Sequence, residues 1–451
     1  MINNDRLNPM VIKELRQGLK SRSFVASFLG LQGLMVLSMF IYLAAVSTGS
    51  GDLEFADGFF WFMVGLLLIV IMPLRSFQAL HDEIKNDTLE LIFLTRMNAW
   101  KITFGKWCAL VIQIFLLVSA ILPYLVLRYF LGAINVTGNL AQLFIQIVVS
   151  MLLVSIGVGL SAWTSKIMRG LLIVGALFSL YLIPLFLFGI GSSMGGAFFG
   201  WTGWIDVVVA LIIAGIIMMF FIQYGASMIA PPAENHSVRK RSMAVLLTLV
   251  MGGYATYKQE AGILYMCIGL LAPMGIDALC EPLIGIPSVY QRLKKVRGLR
   301  WFLFPGWASG FLFVTVLFWS SILWAFFVEP DVDVWEVGVI SYNTLIFPFI
   351  LLRLIPVLSR KPLAGYFIIQ VLSLALSLLL VFLEEIHFVH KLDFFASALP
   401  VLGFLGILDS FYSGPEFVLS LFFGTVMLAI FWVVSLKPFK QMRYLCRGEQ
   451  G

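Results

Sequence analysis

Long apolar stretches alternate with short polar segments along almost the whole of this chain. Six stretches in the first half are long enough to cross a bilayer as helices, namely 24–46, 59–80, 104–130, 140–163, 171–190 and 206–228. Six more follow in the second half, namely 243–257, 261–282, 306–328, 338–357, 363–383 and 417–436. The apolar run 395–408 is short and ends near a Ser-Gly-Pro break, so we expect it to be re-entrant or external. The pattern predicts an all-α polytopic membrane protein with about 12 transmembrane helices, arranged as six plus six.

The composition supports a membrane protein and bears on its orientation. Of 451 residues, 61% are hydrophobic and only 12% are charged, which excludes a soluble globular fold. Lysines and arginines concentrate in alternate loops, as they do in the cytoplasmic loops of membrane proteins. We therefore expect an inner-membrane protein with both termini in the cytoplasm. The lipid bilayer explains the net charge of +6, and no nucleic-acid partner is expected.

A basic segment near the middle of the chain separates two blocks of spans. It covers residues 231–242, begins with two prolines and contains an Arg-Lys-Arg run, as is typical of a cytoplasmic linker. The sequence thus predicts a six-helix transmembrane domain over residues 1–230 and a second six-helix block over 243–451. The second block shows no convincing repeat of the first, and its role stays unassigned.

One polar segment, residues 81–106, is both long and amphipathic. It lies between the second and third predicted spans, on the cytoplasmic side. On a helix over 82–100, Glu83, Asp87 and Glu90 recur at i, i+4 and i+7 and form an acidic stripe. Such a helix lies along a membrane surface or against a partner. The segment is therefore either a surface connector or a docking element.

A second amphipathic helix is predicted before the first span. Asn8 suits the N-cap and Pro9 the first helical position. The polar positions that follow include Lys13, Glu14 and Arg16. A basic amphipathic helix of this kind lies flat on the inner leaflet. It serves either as a basic anchor that holds the first span on the cytoplasmic side or as a connecting helix that also contacts a partner.

These two segments resemble the type-2 ABC transporter permeases. Where that family has a glutamate, Gly-Thr-Leu-Glu-Leu-Leu, Leu-Thr-Pro and Gly-Lys, this chain has Glu83, Thr88-Leu89-Glu90-Leu91-Ile92, Leu94-Thr95 and Gly105-Lys106. The family's Asn-Pro-x-x-x-Lys-Glu-Leu-Arg start is similar to Asn8-Pro9 followed by Lys13-Glu14-Leu15-Arg16. Two positions depart from the family pattern, with Asp87 in place of Gly and Arg96 in place of Pro. The resemblance covers about residues 8–230.

The resemblance implies the membrane-spanning subunit of an ATP-driven ABC transporter, an exporter that pairs with a second copy of itself or with a related permease. It assigns contact with a separate ATPase subunit to the cytoplasmic helix over 82–100, through Glu83, Asp87, Thr88, Leu89, Glu90, Leu94 and Thr95. The chain contains no phosphate-loop motif, so we do not expect an enzyme. ATP and Mg²⁺ would bind to the partner, and no cofactor or metal is expected in this chain.

Two functions of other classes remain open. One is an ion- or proton-coupled secondary transporter with twelve spans. The other is a membrane enzyme that acts on lipids, although such an enzyme needs His, Asp or Cys residues clustered at one membrane depth, and the sequence pattern does not offer such a cluster.

Three charged residues in the second half lie in or near predicted spans. Burying a charge in lipid is costly, so such residues are candidates for function. Asp277 and Glu281 stand at i and i+4 and therefore share a helix face. Either they form an intramembrane ion pair with Arg353, or these side chains extend to the interface.

Overall fold

The computed structural model describes residues 9–48, 53–85, 97–131, 136–163, 203–231, 234–283, 300–330 and 332–385, together with isolated positions between 422 and 440. These ranges contain helices and short connections and no β-strand. Eight helices within them are long and apolar enough to cross a membrane. The protein is therefore an all-α, multi-pass membrane protein, as predicted. The predicted span 171–190 and the run 395–408 lie outside the described residues, and only isolated positions of 417–436 are described.

The eight candidate spans follow the hydropathy of the sequence. They are Phe24–Ser47, Phe55–Ser76, Ala99–Phe130, Val136–Leu160, Trp204–Ile229, Gly262–Cys280, Trp307–Val328 and Val337–Leu354. Two further predicted spans have a different character in the described residues. The helix that contains 243–257 begins with basic residues and is not among the eight. The helix that contains 363–383 is not among the eight either, and its first part forms a shorter apolar helix.

The chain divides into two compact units, residues 1–230 and 231–451. In the first unit the described helices are α1 (Pro9–Lys20), α2 (Arg22–Thr48), α3 (Leu53–Gly65), α4 (Met72–Ser76), α5 (His81–Lys85), α6 (Ala99–Phe130), α7 (Val136–Leu160) and α8 (Trp204–Ile229). A π-helical segment, Leu66–Ile71, joins α3 to α4, so that the two form one span. Large apolar side chains from α2, this span, α6 and α7 make the core, among them Leu31, Met35, Leu68, Met72 and Ile114.

The π-helical segment has a cause in the sequence. Pro73 has no backbone N–H and cannot bond the carbonyl one turn earlier, and a widened turn accommodates such a defect. Within the segment, the Leu68 carbonyl accepts a hydrogen bond from Ser150 Oγ of α7 at 2.6 Å. An unbonded carbonyl is costly in lipid. Ser150 therefore stabilises both the wide turn and the contact between two spans.

Glycines allow the helices of the first unit to approach closely. A Cβ on Gly159 of α7 would lie 2.4 Å from the Phe221 carbonyl oxygen of α8. A Cβ on Gly225 of α8 would lie 3.0 Å from the Gly159 Cα. Small residues are typical of membrane-helix interfaces, because van der Waals packing holds such helices together. Helices α7 and α8 are therefore in tight contact, and α6 packs against both of them.

In the second unit the described helices are α9 (Ser237–Lys258), α10 (Gly262–Cys280), α11 (Arg300–Leu303), α12 (Trp307–Val328), α13 (Val332–Leu354), α14 (Pro356–Ser359) and α15 (Pro362–Glu385). The predicted linker 231–242 is therefore too long, since its last residues form the first turns of α9. Gly310 of α12 lies so close to α10 that a Cβ would be 1.9 Å from the Ala278 carbonyl oxygen. This crossing holds the end of α10 near the start of α12.

Candidate functional site

The amino-terminal helix α1 packs against the start of the long span α6. It begins at Pro9, as a proline in the first turn favours. Met10 and Val11 are buried, whereas Lys13 and Arg16 are exposed. The helix is thus amphipathic, with its apolar side against the bundle and basic side chains outside.

Four charged residues meet where α1, α5 and α6 touch, and we call them the Lys106 junction: Lys13, Glu14, Glu83 and Lys106. Lys106 Nζ donates to Glu14 Oε1 at 2.9 Å and to Glu83 Oε1 at 3.1 Å. Lys13 Nζ lies 3.5 Å from the same Glu83 oxygen. The Lys106 side chain is only 5% exposed. Two cations and two anions make the junction neutral, as burial of charge requires.

The junction joins three segments that are far apart in the sequence. Lys13 and Glu14 come from the predicted interfacial helix, and Glu83 from the predicted coupling segment. Lys106 was not predicted to have this role, because a lysine near the end of a span ordinarily extends to the interface. The family-like Gly105-Lys106 pair was the signal that marked the position.

The predicted helix over 82–100 is not continuous to its predicted end. Residues 81–85 are helical, but 97 and 98 are not, and Asn98 is an extended N-cap with φ −74° and ψ 148°. Residues 99 and 100 therefore belong to the membrane-spanning helix α6. The remaining predicted coupling residues lie outside the described residues and stay predictions, namely Asp87, Thr88, Leu89, Glu90, Leu94 and Thr95.

The turn before α5 is fixed to another span. The Leu80 N–H donates to Ser161 Oγ at 3.1 Å, just beyond the end of α7. Leu80 itself is fully buried. The backbone shortly before Glu83 is therefore held by α7, and the Glu83 side chain is held by Lys106.

A second ionic cluster lies at the other end of α6. Arg128 is fully buried, its Nη2 donates to Asp57 Oδ1 of α3, and its guanidinium lies over the rings of Tyr42 and Phe60. Its Nε and Nη1 have no hydrogen-bond partner among the described residues. From Lys106 to Arg128 is 22 residues, or about 33 Å of α-helix, close to the thickness of a bilayer's hydrocarbon core. The two clusters are thus about as far apart as the two surfaces of that core.

The second unit contains a buried ionic cluster of its own, formed by Lys240, Arg241, Asp277 and Glu281. Lys240 Nζ lies 2.8 Å from Asp277 Oδ2 and 3.6 Å from Glu281 Oε1. Arg241 Nη2 donates to Glu281 Oε2 at 2.9 Å. The other Arg241 terminal nitrogen donates to the Phe302 carbonyl at 2.6 Å and to Ser309 Oγ at 2.9 Å. Two cations and two anions again balance.

The predicted partner of the acidic residues was wrong. Asp277 and Glu281 face Lys240 and Arg241 of α9, not Arg353. The Arg353 guanidinium instead donates to the Leu279 carbonyl at 3.2 Å and lies over aromatic rings. The reason is helix order: α9 packs directly on α10, and its first turn brings two cations to the carboxylates.

Charge pairing determines the protonation of Glu281 and Lys240 in this cluster. Burial disfavours the ionised form of Glu281, but Lys240, Arg241 and hydrogen bonds from Ser237 and the Gly306 N–H outweigh it and lower the pKa of Glu281. Burial likewise opposes the charge on Lys240, but the two carboxylates outweigh it and raise the pKa of Lys240. Both groups are therefore charged at neutral pH.

Neither unit offers a metal site in the described residues, where no group of three or more His, Cys, Asp or Glu side chains comes together. The described side chains form ionic contacts between helices, at both ends of α6 in the first unit and within the second unit. No protein family, curated protein or solved structure matches this chain at a significant level.

Proposed function

We propose that this chain is the membrane-spanning subunit of an ATP-driven ABC transporter, an exporter of the inner membrane. A separate ATPase subunit contacts the segment that follows Glu83 and supplies the energy. A second copy of the chain, or a related permease, completes the transport path. In this proposal the chain has twelve spans and both termini in the cytoplasm.

The Lys106 junction is the observation that carries the proposal. The segment that resembles an ATPase-contacting element begins at Glu83, and Glu83 shares its charge partner with α1 through Lys106. A partner that moves this segment therefore pulls on the start of α6 and on α1 together. Buried ion pairs cost several kcal/mol to break by removal of one partner, on the order of 3–5 kcal/mol. The contact is thus stiff enough to transmit a displacement to a span.

The test is co-purification with transport. The chain is isolated from its membrane in mild detergent, and an ATPase subunit is sought among the proteins that accompany it. In vesicles, export should stop when ATP is depleted and should persist when the proton gradient is collapsed. Recovery of no ATPase, together with transport that survives ATP depletion, would overturn the proposal.

A matched pair of variants tests the role of the junction. Lys106→Met removes the shared cation and should uncouple ATP hydrolysis from export, while the ATPase still co-purifies. Lys101→Met removes the same charge from an exposed position on the same helix and should leave coupling unchanged. Equal behaviour of the two variants would count against transmission through Lys106.

A second candidate is a twelve-span transporter coupled to ions or protons, and the buried cluster of the second unit favours it. Carboxylates and cations inside membrane proteins often form proton relays, and Asp277 lies against Lys240 at 2.8 Å. In this case Asp277→Asn should abolish transport driven by a proton gradient. Export that continues in Asp277→Asn, at a rate set by ATP, would rule this candidate out.

A further inference from the structure

A polar cavity of about 440 Å³ lies beside the Lys106 junction in the first unit. Its walls come from α1, from the end of the second span, from α5 and from α6. This volume falls in the range of pockets that hold small organic ligands. The cavity lies where α1 meets the start of α6, at the level of one membrane surface.

The cavity wall contains a cation without a carboxylate partner among the described residues. Arg75 makes no ion pair within this part of the chain, although the buried cations Lys106 and Arg128 do. Its guanidinium donates to Ser21 Oγ at 3.3 Å and lies over the Phe24 ring. The other charged wall residues belong to the neutral Lys106 junction, namely Lys13, Glu14, Glu83 and Lys106. With three cations and two carboxylates, the wall has a net charge of +1 that comes from Arg75, and this charge favours an anion in the cavity.

The cavity wall also contains a buried acceptor without a donor. Gln113 is 2% exposed, and its Oε1 has no hydrogen-bond partner among the described residues. The Gln113 Nε2 lies close to α1, because it occupies space that a side chain at Gly18 would need, 2.3 Å from where a Cβ would be. An unpaired buried acceptor costs roughly 1–3 kcal/mol, so a ligand with a hydroxyl or ammonium donor would be favoured here.

The position of the cavity favours a lipid over a soluble anion. Arg75 is the next-to-last residue of the candidate span Phe55–Ser76, and basic pockets between membrane helices at this level bind anionic headgroups. Leu74 and Ile112, the sequence neighbours of Arg75 and Gln113, are exposed apolar side chains. The helices that line the cavity thus also carry apolar surface on which an acyl chain can pack.

We propose that this cavity binds the headgroup of an anionic glycerophospholipid, with the phosphate on Arg75 and a headgroup hydroxyl donating to Gln113 Oε1. Phosphatidylglycerol has both features. The lipid would fill the space between α1 and the bundle and hold α1 in place. This proposal does not rest on ATP-driven export, since any function of the chain would leave the same cavity.

The experiment measures lipid binding to the full chain in neutral detergent by native mass spectrometry. Phosphatidylglycerol is compared with phosphatidylcholine of the same acyl chains. We expect one phosphatidylglycerol to bind in preference, and Arg75→Gln to weaken it about tenfold, as loss of one charge-assisted hydrogen bond does. The matched control Arg22→Gln removes the same charge from an exposed position outside the cavity wall and should leave binding unchanged.

A second variant covers the case in which Arg75→Gln fails to fold. Gln113→Leu should weaken phosphatidylglycerol but not phosphatidic acid, which has no headgroup hydroxyl. Two results would overturn the proposal. Equal weakening by Arg75→Gln and Arg22→Gln would show that surface charge alone attracts the lipid. Displacement of phosphatidylglycerol by millimolar inorganic phosphate would show that the ligand is a free phosphate.

Discussion

Removal of the Lys106 ammonium should release α1 from the bundle. In Lys106→Met, Glu14 and Glu83 lose a shared cation that lies 2.9 Å and 3.1 Å from their oxygens. Loss of one partner from a fully buried pair costs roughly 3–5 kcal/mol. The Glu14 side chain is 20% exposed and can recover some hydration, and Lys13 still lies near Glu83, so we expect a loss of about 2–3 kcal/mol in the free energy of unfolding.

The assay has two readouts. Unfolding of the purified chain in detergent gives the loss of stability, and a cycle with Glu14→Gln isolates the Lys106–Glu14 interaction. Limited trypsin digestion reports on α1 itself, since α1 and α2 meet at Lys20, Ser21 and Arg22. Cleavage there should become faster in Lys106→Met and stay unchanged in the control Lys101→Met. A coupling energy below about 0.5 kcal/mol, with unchanged cleavage, would refute the reasoning.

The other predictions concern the remaining clusters and one helix crossing. Asp57→Ala should destabilise the protein by about 3 kcal/mol, because it leaves a buried cation unpaired. Arg128→Met should cost less than about 1 kcal/mol, because it also removes two donors that have no partner among the described residues. Thermal unfolding measures both. Gly310→Ala places a Cβ 1.9 Å from a backbone carbonyl, so it should reduce the yield of folded protein, while Gly253→Ala, in open space, should not. The pKa of Glu281 is lowered in the folded protein. The Glu281 carboxylate therefore contributes fully to the free energy of unfolding above its unfolded pKa of about 4.3, and this contribution is lost as the pH falls through the folded pKa. The difference in melting temperature between the wild type and Glu281→Gln should therefore shrink towards acidic pH.

Each of these has an outcome that contradicts it. Equal costs for Asp57→Ala and Arg128→Met would mean that an unpaired Arg128 is no more costly than an unpaired Asp57. Normal yield of Gly310→Ala would place α10 and α12 farther apart than described. A melting-temperature difference for Glu281→Gln that grows as the pH falls would mean that the folded pKa is raised.

The sequence predicted the eight candidate spans well, because hydropathy is a local property. A run such as 24–46 must be covered by lipid or protein wherever it lies, and the candidate span Phe24–Ser47 corresponds to it. The start of the third span was placed five residues late, at 104 instead of 99, because Ala99 to Thr103 contain a lysine and a tryptophan that hydropathy alone does not assign to a span.

The ionic contacts were harder to predict, because they depend on which helices are neighbours. Asp277 and Glu281 were identified as unusual, yet their partner Lys240 lies 37 positions earlier, in a segment that its charge assigned to a linker. Likewise, Glu14 and Lys106 are 92 positions apart. Charge and spacing can mark a residue as costly to bury, but only packing determines the residue that compensates it.

The placement of Lys106 and Arg128 on one helix restricts how α6 can move. Their separation of 22 residues is about 6.1 turns, so the two side chains point in directions that differ by about 40°. Both are held by partners on that side of the helix. A rotation of α6 about its own axis would break the contacts at both ends at once. A tilt of α6 about one end would mainly strain the contacts at the other end. We therefore expect any working motion of this helix to be a rocking motion with one end as its pivot.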